Sequence, residues 1–205
     1  LAAQGEFRDL TRRVPEILSE AQDKGNRYLS TNLRTGYSIL VWLCADDPDT
    51  AIRNVDDAMT DWSADAYTMQ HYQALIARVH ISLYQDRGEE ALNWFAQDEA
   101  LLAESHLRSI PFIDMELKTL KLRALIAVLA SPQSTIDKTV LANTIKLELT
   151  KLFHSMSPWV IAVAHYLKII FDYHRPEGGC SVAQVDTAIQ ALEGTGLHHY
   201  ARTAR

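Results

Sequence analysis

The chain has 205 residues, of which 47% are hydrophobic and 22% are charged, proportions typical of a folded domain. Its formal net charge is −6 and its basic residues do not cluster, which argues against a nucleic-acid-binding protein with a basic stripe. Two widely separated cysteines, Cys44 and Cys180, argue against a disulfide framework, so we expect a reducing, cytoplasmic compartment.

Signals that end one helix and begin another recur along the chain. They place the starts of successive units near residues 5, 48, 88, 135 and 179, at spacings of about 40 to 47 residues. Such a period is typical of helical hairpins, in units somewhat longer than the standard tetratricopeptide repeat of about 34 residues. At the second start, Asp47 can cap the helix and Pro48 suits its first position. At the third, Gly88 can supply a turn with positive φ.

Each unit contains apolar residues at helical spacing, which indicates one buried face per helix. In chain order these positions are Phe7, Leu10, Val14, Leu18, Leu29, Leu33, Leu40, Leu43, Ala51, Val55, Ala58, Trp62, Tyr72, Ile76, Val79, Leu83, Ala91, Phe95, Leu102, Ile113, Leu117, Leu120, Ala124, Val128, Leu141, Ile145, Leu149, Leu152, Met156, Val182, Val185, Ile189 and Leu192. The most apolar run, residues 159–171, contains His165 and Lys168. Because it is shorter than the roughly 20 residues that span a bilayer, we interpret it as a core helix.

These signals predict an all-α fold, a tetratricopeptide-like α-α superhelix of about five helical hairpins. Residues 37–44 could form a strand by composition, but they continue the helical pattern that begins at Tyr28, and Gly36 then falls inside a helix, where close packing of two helices would explain it. A single hairpin cannot cover its own apolar face, so we expect one continuous domain over residues 1–205. Since the pattern begins and stops within helices, we expect a fragment of a longer multidomain protein.

Short catalytic motifs are absent: the sequence has no phosphate-binding loop, H-E-x-x-H, G-x-S-x-G or kinase catalytic sequence. Histidines could form a metal site or proton switch, but none has a carboxylate partner at helical spacing, which favours ordinary half-buried helix residues; the six considered are His71, His80, His154, His165, His198 and His199. No catalytic, cofactor-binding or metal-binding residue is therefore predicted, and no cofactor.

Acidic residues, tryptophans and cysteines admit a functional and a structural interpretation. The acidic groups could bind a cation, or they could stabilise helix N-termini, the interpretation we prefer for Asp47, Asp49, Glu89 and Glu90; Asp56 and Asp57 suit a solvated face. Exposed tryptophans would anchor a partner, whereas core packing is the simpler role for Trp42, Trp62, Trp94 and Trp159. Neither cysteine has a histidine nearby in sequence to activate it.

Two stretches resemble a known family, the helical C-terminal region of large bacterial serine/threonine protein kinases that carry a predicted ATPase module and tetratricopeptide-like repeats. The resemblance rests on Asn32-Leu33-Arg34-Thr35-Gly36, Val41-Trp42-Leu43, Ala45-Asp46-Asp47-Pro48, Gln70-His71-Tyr72, Ala74-Leu75, Ile81, Leu83-Tyr84 and Gly88. Beyond about residue 135 only the general hairpin pattern continues. The resemblance implies an accessory segment downstream of kinase and nucleotide-binding regions, and it carries no catalytic residue onto this chain.

The first functional hypothesis is a non-catalytic interaction and regulatory scaffold attached to such a kinase. Its partner would be a protein or peptide in a concave groove, or another domain of the same chain, and neither nucleic acid nor a membrane. The alternative is a small-molecule effector-binding module of a multidomain transcriptional activator with similar repeats. A third hypothesis is an enzyme with an unrecognised all-α site. A deep pocket lined by polar groups would favour the second or third hypothesis, and a broad open surface the first.

Overall fold

A computed structural model describes residues 5–60, 62–63, 65–175 and 178–204. Every regular element in this part of the chain is helical, which confirms the all-α class. The α-helices are α1 (Phe7–Asp23), α2 (Arg27–Arg34), α3 (Leu40–Leu43), α4 (Pro48–Thr60), α5 (Met69–Tyr84), α6 (Gly88–Glu104), α7 (Pro111–Ala130), α8 (Lys138–Phe153), α9 (Pro158–His174), α10 (Val182–Gly194) and α11 (His198–Ala204), with 3-10 turns at Gly36–Ile39 and Leu107–Ser109. Among the described residues, none of the helices combines the length and the apolar composition that a transmembrane span requires.

The chain divides into two compact units, Leu1–Ile113 and Asp114–Arg205, and the division falls within α7. In unit 1, α1 packs against α2 and α3, α4 packs against α5, and α5 packs against α6. In unit 2, α9 packs against α8 and α10, and α10 packs against α11. The expectation of one continuous domain stays a prediction.

Helices begin close to each predicted unit start, at Phe7, Pro48, Gly88, Lys138 and Val182. Most of the predicted apolar faces are buried, because the helical spacing that revealed them also directs them to one side of each helix. The confirmed positions are Leu10, Val14, Leu18, Leu43, Ala51, Val55, Ala58, Tyr72, Ile76, Val79, Ala91, Phe95, Leu102, Ile113, Leu117, Leu120, Ala124, Val128, Leu141, Ile145, Leu149, Leu152 and Leu192.

Three predicted core positions lie elsewhere, because the helices end sooner or begin later than the apolar pattern suggests. Helix α4 ends at Thr60, so Trp62 lies in the following loop. Helix α8 ends at Phe153, and Met156 beyond it is 97% exposed. Val182 is the first residue of α10 and is 78% exposed.

One turn geometry joins four pairs of helices. In each, a single residue with positive φ follows the helix, and the next residue serves as the N-cap of the helix that follows. The left-handed residues are Gly25 (φ 63°), Asp46 (φ 56°), Asp86 (φ 57°) and Gly196 (φ 77°). This conformation turns the chain sharply, so two helices are joined by very few residues.

The backbone hydrogen bonds of these turns are those of the Schellman motif. At the α5–α6 turn, the Arg87 N–H donates to the Ser82 carbonyl at 2.8 Å and the Asp86 N–H donates to the Leu83 carbonyl at 3.2 Å. Equivalent pairs of bonds occur at Gly25, Asp46 and Gly196. These bonds satisfy carbonyl groups that a helix end would otherwise leave unpaired.

The expectation that Gly88 supplies positive φ is wrong. The left-handed residue of this turn is Asp86, and Gly88 is the buried first residue of α6. Asp is tolerated in the left-handed region, because its short polar side chain can bond locally, but it is less favourable there than Gly. The glycine in the sequence therefore predicts the left-handed residue of this turn two positions after the residue that adopts this conformation.

Because of this geometry, Asp86→Gly is expected to stabilise the chain by about 0.5–1 kcal/mol, since Gly adopts positive φ without a Cβ penalty. Urea unfolding followed by circular dichroism measures the change. Asp57→Gly is the matched control: it lies inside α4, where Gly should cost about 0.5–1 kcal/mol. Equal destabilisation by both substitutions would contradict the assigned turn.

The segment between Tyr28 and Cys44 is not one continuous helix, contrary to the sequence expectation. Helix α2 ends at Arg34, Thr35 is extended (φ −127°, ψ −177°), and Gly36 is left-handed (φ 57°). The Thr35 hydroxyl donates to the Thr31 carbonyl at 2.9 Å and closes the helix end. The break changes which side chains face inward: Ile39, Val41 and Leu43 are buried, whereas Leu29, Leu33 and Leu40 are only half-buried.

Gly36 also meets the expectation of a close approach between helical segments. A Cβ built on it would lie 1.9 Å from Oε1 of Gln73, which belongs to α5. Both the positive φ and the neighbouring side chain therefore favour Gly at this position.

Candidate functional site

Most of the histidines have a local structural partner. In the described ranges, no three His, Cys, Asp or Glu side chains come together in a way that could hold a metal ion. The ring of His80 contacts the ring of Tyr37 (5.2 Å between centroids), and Nδ1 of His154 lies 2.7 Å from the Thr150 carbonyl. His198 is exposed.

The acidic residues mainly cap or link helices. Oδ1 of Asp47 accepts the Thr50 N–H at 3.0 Å and caps α4, as predicted. Asp49, Glu89 and Glu90 lie in first helical turns, also as predicted. Asp56 and Asp57 are exposed, as predicted for a solvated face, and Oδ1 of Asp56 also accepts from Nη2 of Arg78 at 2.9 Å.

The four tryptophans are half-buried, so none is a fully enclosed core residue. Trp42 packs against two apolar clusters of unit 1. The Trp62 indole N–H donates to Oγ1 of Thr68 at 3.1 Å. The guanidinium of Arg78 lies over Trp94, 4.9 Å from the centroid of the Trp94 ring.

Desolvation raises the pKa of the Cys44 thiol, which opposes a role as nucleophile.

A chain of side-chain contacts links α2, the loop before α5, α5 itself and α6. The rings of Tyr28 and Trp62 lie 6.4 Å apart, Trp62 bonds Thr68, and Thr68 bonds His71. His71 stacks on Tyr67 at 5.3 Å, and the Tyr67 hydroxyl donates to Oδ2 of Asp98 at 2.7 Å. We call this set the aromatic bridge; its members are Tyr28, Trp62, Tyr67, Thr68, His71 and Asp98.

Electrostatics fix the protonation states within the aromatic bridge. Burial, and then the hydrogen bond to Asp98, raise the pKa of Tyr67 well above its usual range. Its hydroxyl therefore keeps its proton and donates to the carboxylate. Burial lowers the pKa of His71, with Asp98 opposing and Arg78 reinforcing that shift. A neutral His71 is what the cap requires, because its Nδ1 accepts the Thr68 N–H at 3.1 Å.

The cap on α5 is thus expected to weaken in acid. Since the pKa of His71 is lowered on folding, the unfolded chain binds more protons below the model-peptide pKa of about 6.5. The stabilisation is present above that pH and is lost as the pH falls through the folded-state pKa. We expect His71→Gln, a residue suited to this capping position, to lose less stability than wild type between about pH 7.5 and 5.5.

Urea unfolding at the two pH values checks this prediction. His198→Gln, which removes an exposed histidine outside the aromatic bridge, is the matched control, and the comparison of the two variants isolates the contribution of the cap on α5. His165, whose pKa is lowered by burial and by Lys168, contributes with the same sign and is unchanged in both variants. Identical pH dependence in His71→Gln and wild type would contradict the assigned role of Nδ1.

Unit 2 contains an open cleft of about 410 Å³ between three helices. Its lining residues are Phe153 from α8, His165, Lys168, Ile169 and Asp172 from α9, and Ala183, Gln184 and Thr187 from α10. Asp172 is only 5% exposed. Its Oδ2 pairs with Nζ of Lys168, and its Oδ1 lies 3.3 Å from Nε of Arg175.

Sequence reasoning did not find this cleft. The available signal was a lysine and an aspartate four residues apart at the end of the most apolar helix, a spacing that places both on one face. The remaining lining residues come from three helices, and single-sequence patterns do not reveal which helices pack together.

Comparison with known proteins gives no family for this chain. No protein-family model, curated protein or solved structure matches it significantly. The resemblance to kinase C-terminal regions stays a prediction.

Proposed function

We propose that the chain is a non-catalytic interaction and regulatory scaffold attached to a bacterial serine/threonine protein kinase with an ATPase module. In this proposal the helical hairpins stack into a tetratricopeptide-like superhelix. A peptide, a protein or another domain of the same polypeptide is held in its concave groove. The net charge of −6 supports a protein partner over a nucleic acid.

The main support for the proposal is that polar side chains join and cap helices in this structure. Groups with shifted pKa values are candidates for catalysis when they converge in a cleft. Here most of them join helices or cap them: Tyr67 bonds Asp98, Tyr84 bonds Asp46, and Asp47 and Asp137 accept backbone N–H groups. Such an arrangement supports a rigid binding surface more than a reaction centre.

Tyr28 is the residue that we propose as a partner anchor on unit 1. Its side chain is 60% exposed, and its ring lies against Trp62 at the outer end of the aromatic bridge. Tyrosine and tryptophan are enriched among the residues that dominate binding at protein interfaces. Because Trp62 is held by Thr68, the partner would meet an ordered surface.

The test begins with the complete reading frame that encodes the chain, which we expect to contain kinase motifs upstream. The polypeptide with and without residues 1–205 is then assayed for phosphotransfer from ATP to a peptide substrate. We expect the rate of phosphotransfer, or the regulation of that rate, to change when residues 1–205 are removed. The 205-residue chain alone should show no turnover. A helix-turn-helix region in place of the kinase would instead support the effector-binding alternative.

A further inference from the structure

We infer that the unit 2 cleft binds a small carboxylate with an apolar body. This inference does not depend on the proposed kinase attachment. At about 410 Å³, the cleft lies within the range of about 300–1,000 Å³ that is typical of small-molecule sites. Phe153, Ile169 and Ala183 supply apolar lining at its walls.

The charges around the cleft favour an anionic ligand. The side chain of Asp172 is buried, and both of its carboxylate oxygens lie against cations, Lys168 and Arg175. Two cations and one anion leave a local charge of about +1. The Lys168 side chain is 42% exposed, and an ammonium has three donors, so Lys168 can bond a ligand while it remains paired with Asp172.

Two neutral residues can add donors beside Lys168. Oε1 of Gln184 accepts the Ser181 N–H at 2.8 Å, which leaves the amide NH₂ of Gln184 available for a ligand. The ring of His165 is held edge-on against Phe153, with centroids 4.9 Å apart. Within the described residues, neither His165 nor Nε2 of Gln184 makes a hydrogen bond. Donors on two helices thus line one cleft, an arrangement that suits a carboxylate.

Phenylacetate is a suitable probe, because it joins one carboxylate to a flat apolar ring. It is titrated into the ¹⁵N-labelled 205-residue chain and followed by amide chemical shifts. We expect saturable shifts in the residues of α9 and α10 that line the cleft. Neutral phenylacetamide, which has the same shape, should bind at least about tenfold more weakly, since bonds to charged groups are the stronger class.

Two variants and a control locate the site. Ala183→Leu adds bulk to one wall of the cleft without altering any charge, and it should weaken the binding of both phenylacetate and phenylacetamide. Lys168→Gln should weaken phenylacetate about tenfold and leave phenylacetamide unchanged, while Arg175 still pairs with Asp172. Lys146→Gln removes an exposed lysine of α8 that does not line the cleft, and it should bind phenylacetate like wild type.

The inference is overturned if phenylacetate causes no saturable shifts at the cleft. It is also overturned if phenylacetamide binds equally well, or if a folded Ala183→Leu chain binds phenylacetate like wild type. Loss of binding in Lys146→Gln to the same extent as in Lys168→Gln would show a general charge effect and would overturn it too. None of these results bears on kinase regulation, so the scaffold proposal is judged separately.

Discussion

Ile39→Ala is expected to lower the free energy of unfolding by about 2–5 kcal/mol. Ile39 is fully buried in an apolar cluster of unit 1, whose other members are Leu43, Ala51, Val55, Ala74, Ala77 and Ile81. The substitution removes apolar contacts and leaves a cavity that the close-packed neighbours fill only in part. Urea unfolding followed by circular dichroism measures the loss.

Two leucines serve as controls for Ile39. Leu101→Ala removes a side chain that is 54% exposed on α6 and should change stability by less than about 0.5 kcal/mol. Leu40→Ala should cost less than Ile39→Ala, because Leu40 is only half-buried. A larger loss at Leu40 than at Ile39 would indicate the continuous helix expected from the sequence and would contradict the break at Gly36.

Gly36→Val is expected to destabilise the chain by about 2 kcal/mol or more, since a left-handed L-residue costs roughly 1–2 kcal/mol even before the β-branch is considered. The added Cβ would also displace the Gln73 side chain, whose Oε1 is 1.9 Å from that position. Urea unfolding followed by circular dichroism again measures the loss in the free energy of unfolding.

Two further variants separate backbone strain from crowding. Gly179→Val is the matched control, because a Cβ at Gly179 would meet no atom of the described residues within 4 Å and its φ is not positive; its cost should stay below about 0.5 kcal/mol. Adding Gln73→Ala to Gly36→Val should recover the crowding contribution and leave the strain. Equal costs at Gly36 and Gly179 would be incompatible with the left-handed conformation of Gly36.

The helices could be predicted because their apolar spacing and their start signals agree. Asp47 and Pro48 mark the start of α4 through capping and a fixed φ, and both signals are local. The break at Gly36 was missed because Leu33 and Leu40 continue a helical spacing across it. An isolated Gly is compatible with a helix, so only the packing against α5 distinguishes the two conformations.

The contacts between helices could not be predicted from one sequence. Tyr67 and Asp98 are separated by 31 residues, and no local pattern pairs them. The same holds for the cleft, where Phe153, Lys168 and Ala183 meet only because α9 packs against α8 and α10. Caps and apolar periodicity can be recognised within a single helix, whereas a site depends on which helices pack together.

The proposed role in binding is tested most directly by isothermal titration of the 205-residue chain into the kinase and ATPase region that we propose for the same reading frame. We expect a saturable complex that Tyr28→Ala weakens about tenfold. Tyr173→Ala, which removes an exposed tyrosine of unit 2, should leave the affinity unchanged. The proposed binding role is wrong if no complex is measurable, or if wild type and a folded Tyr28→Ala chain bind with equal affinity.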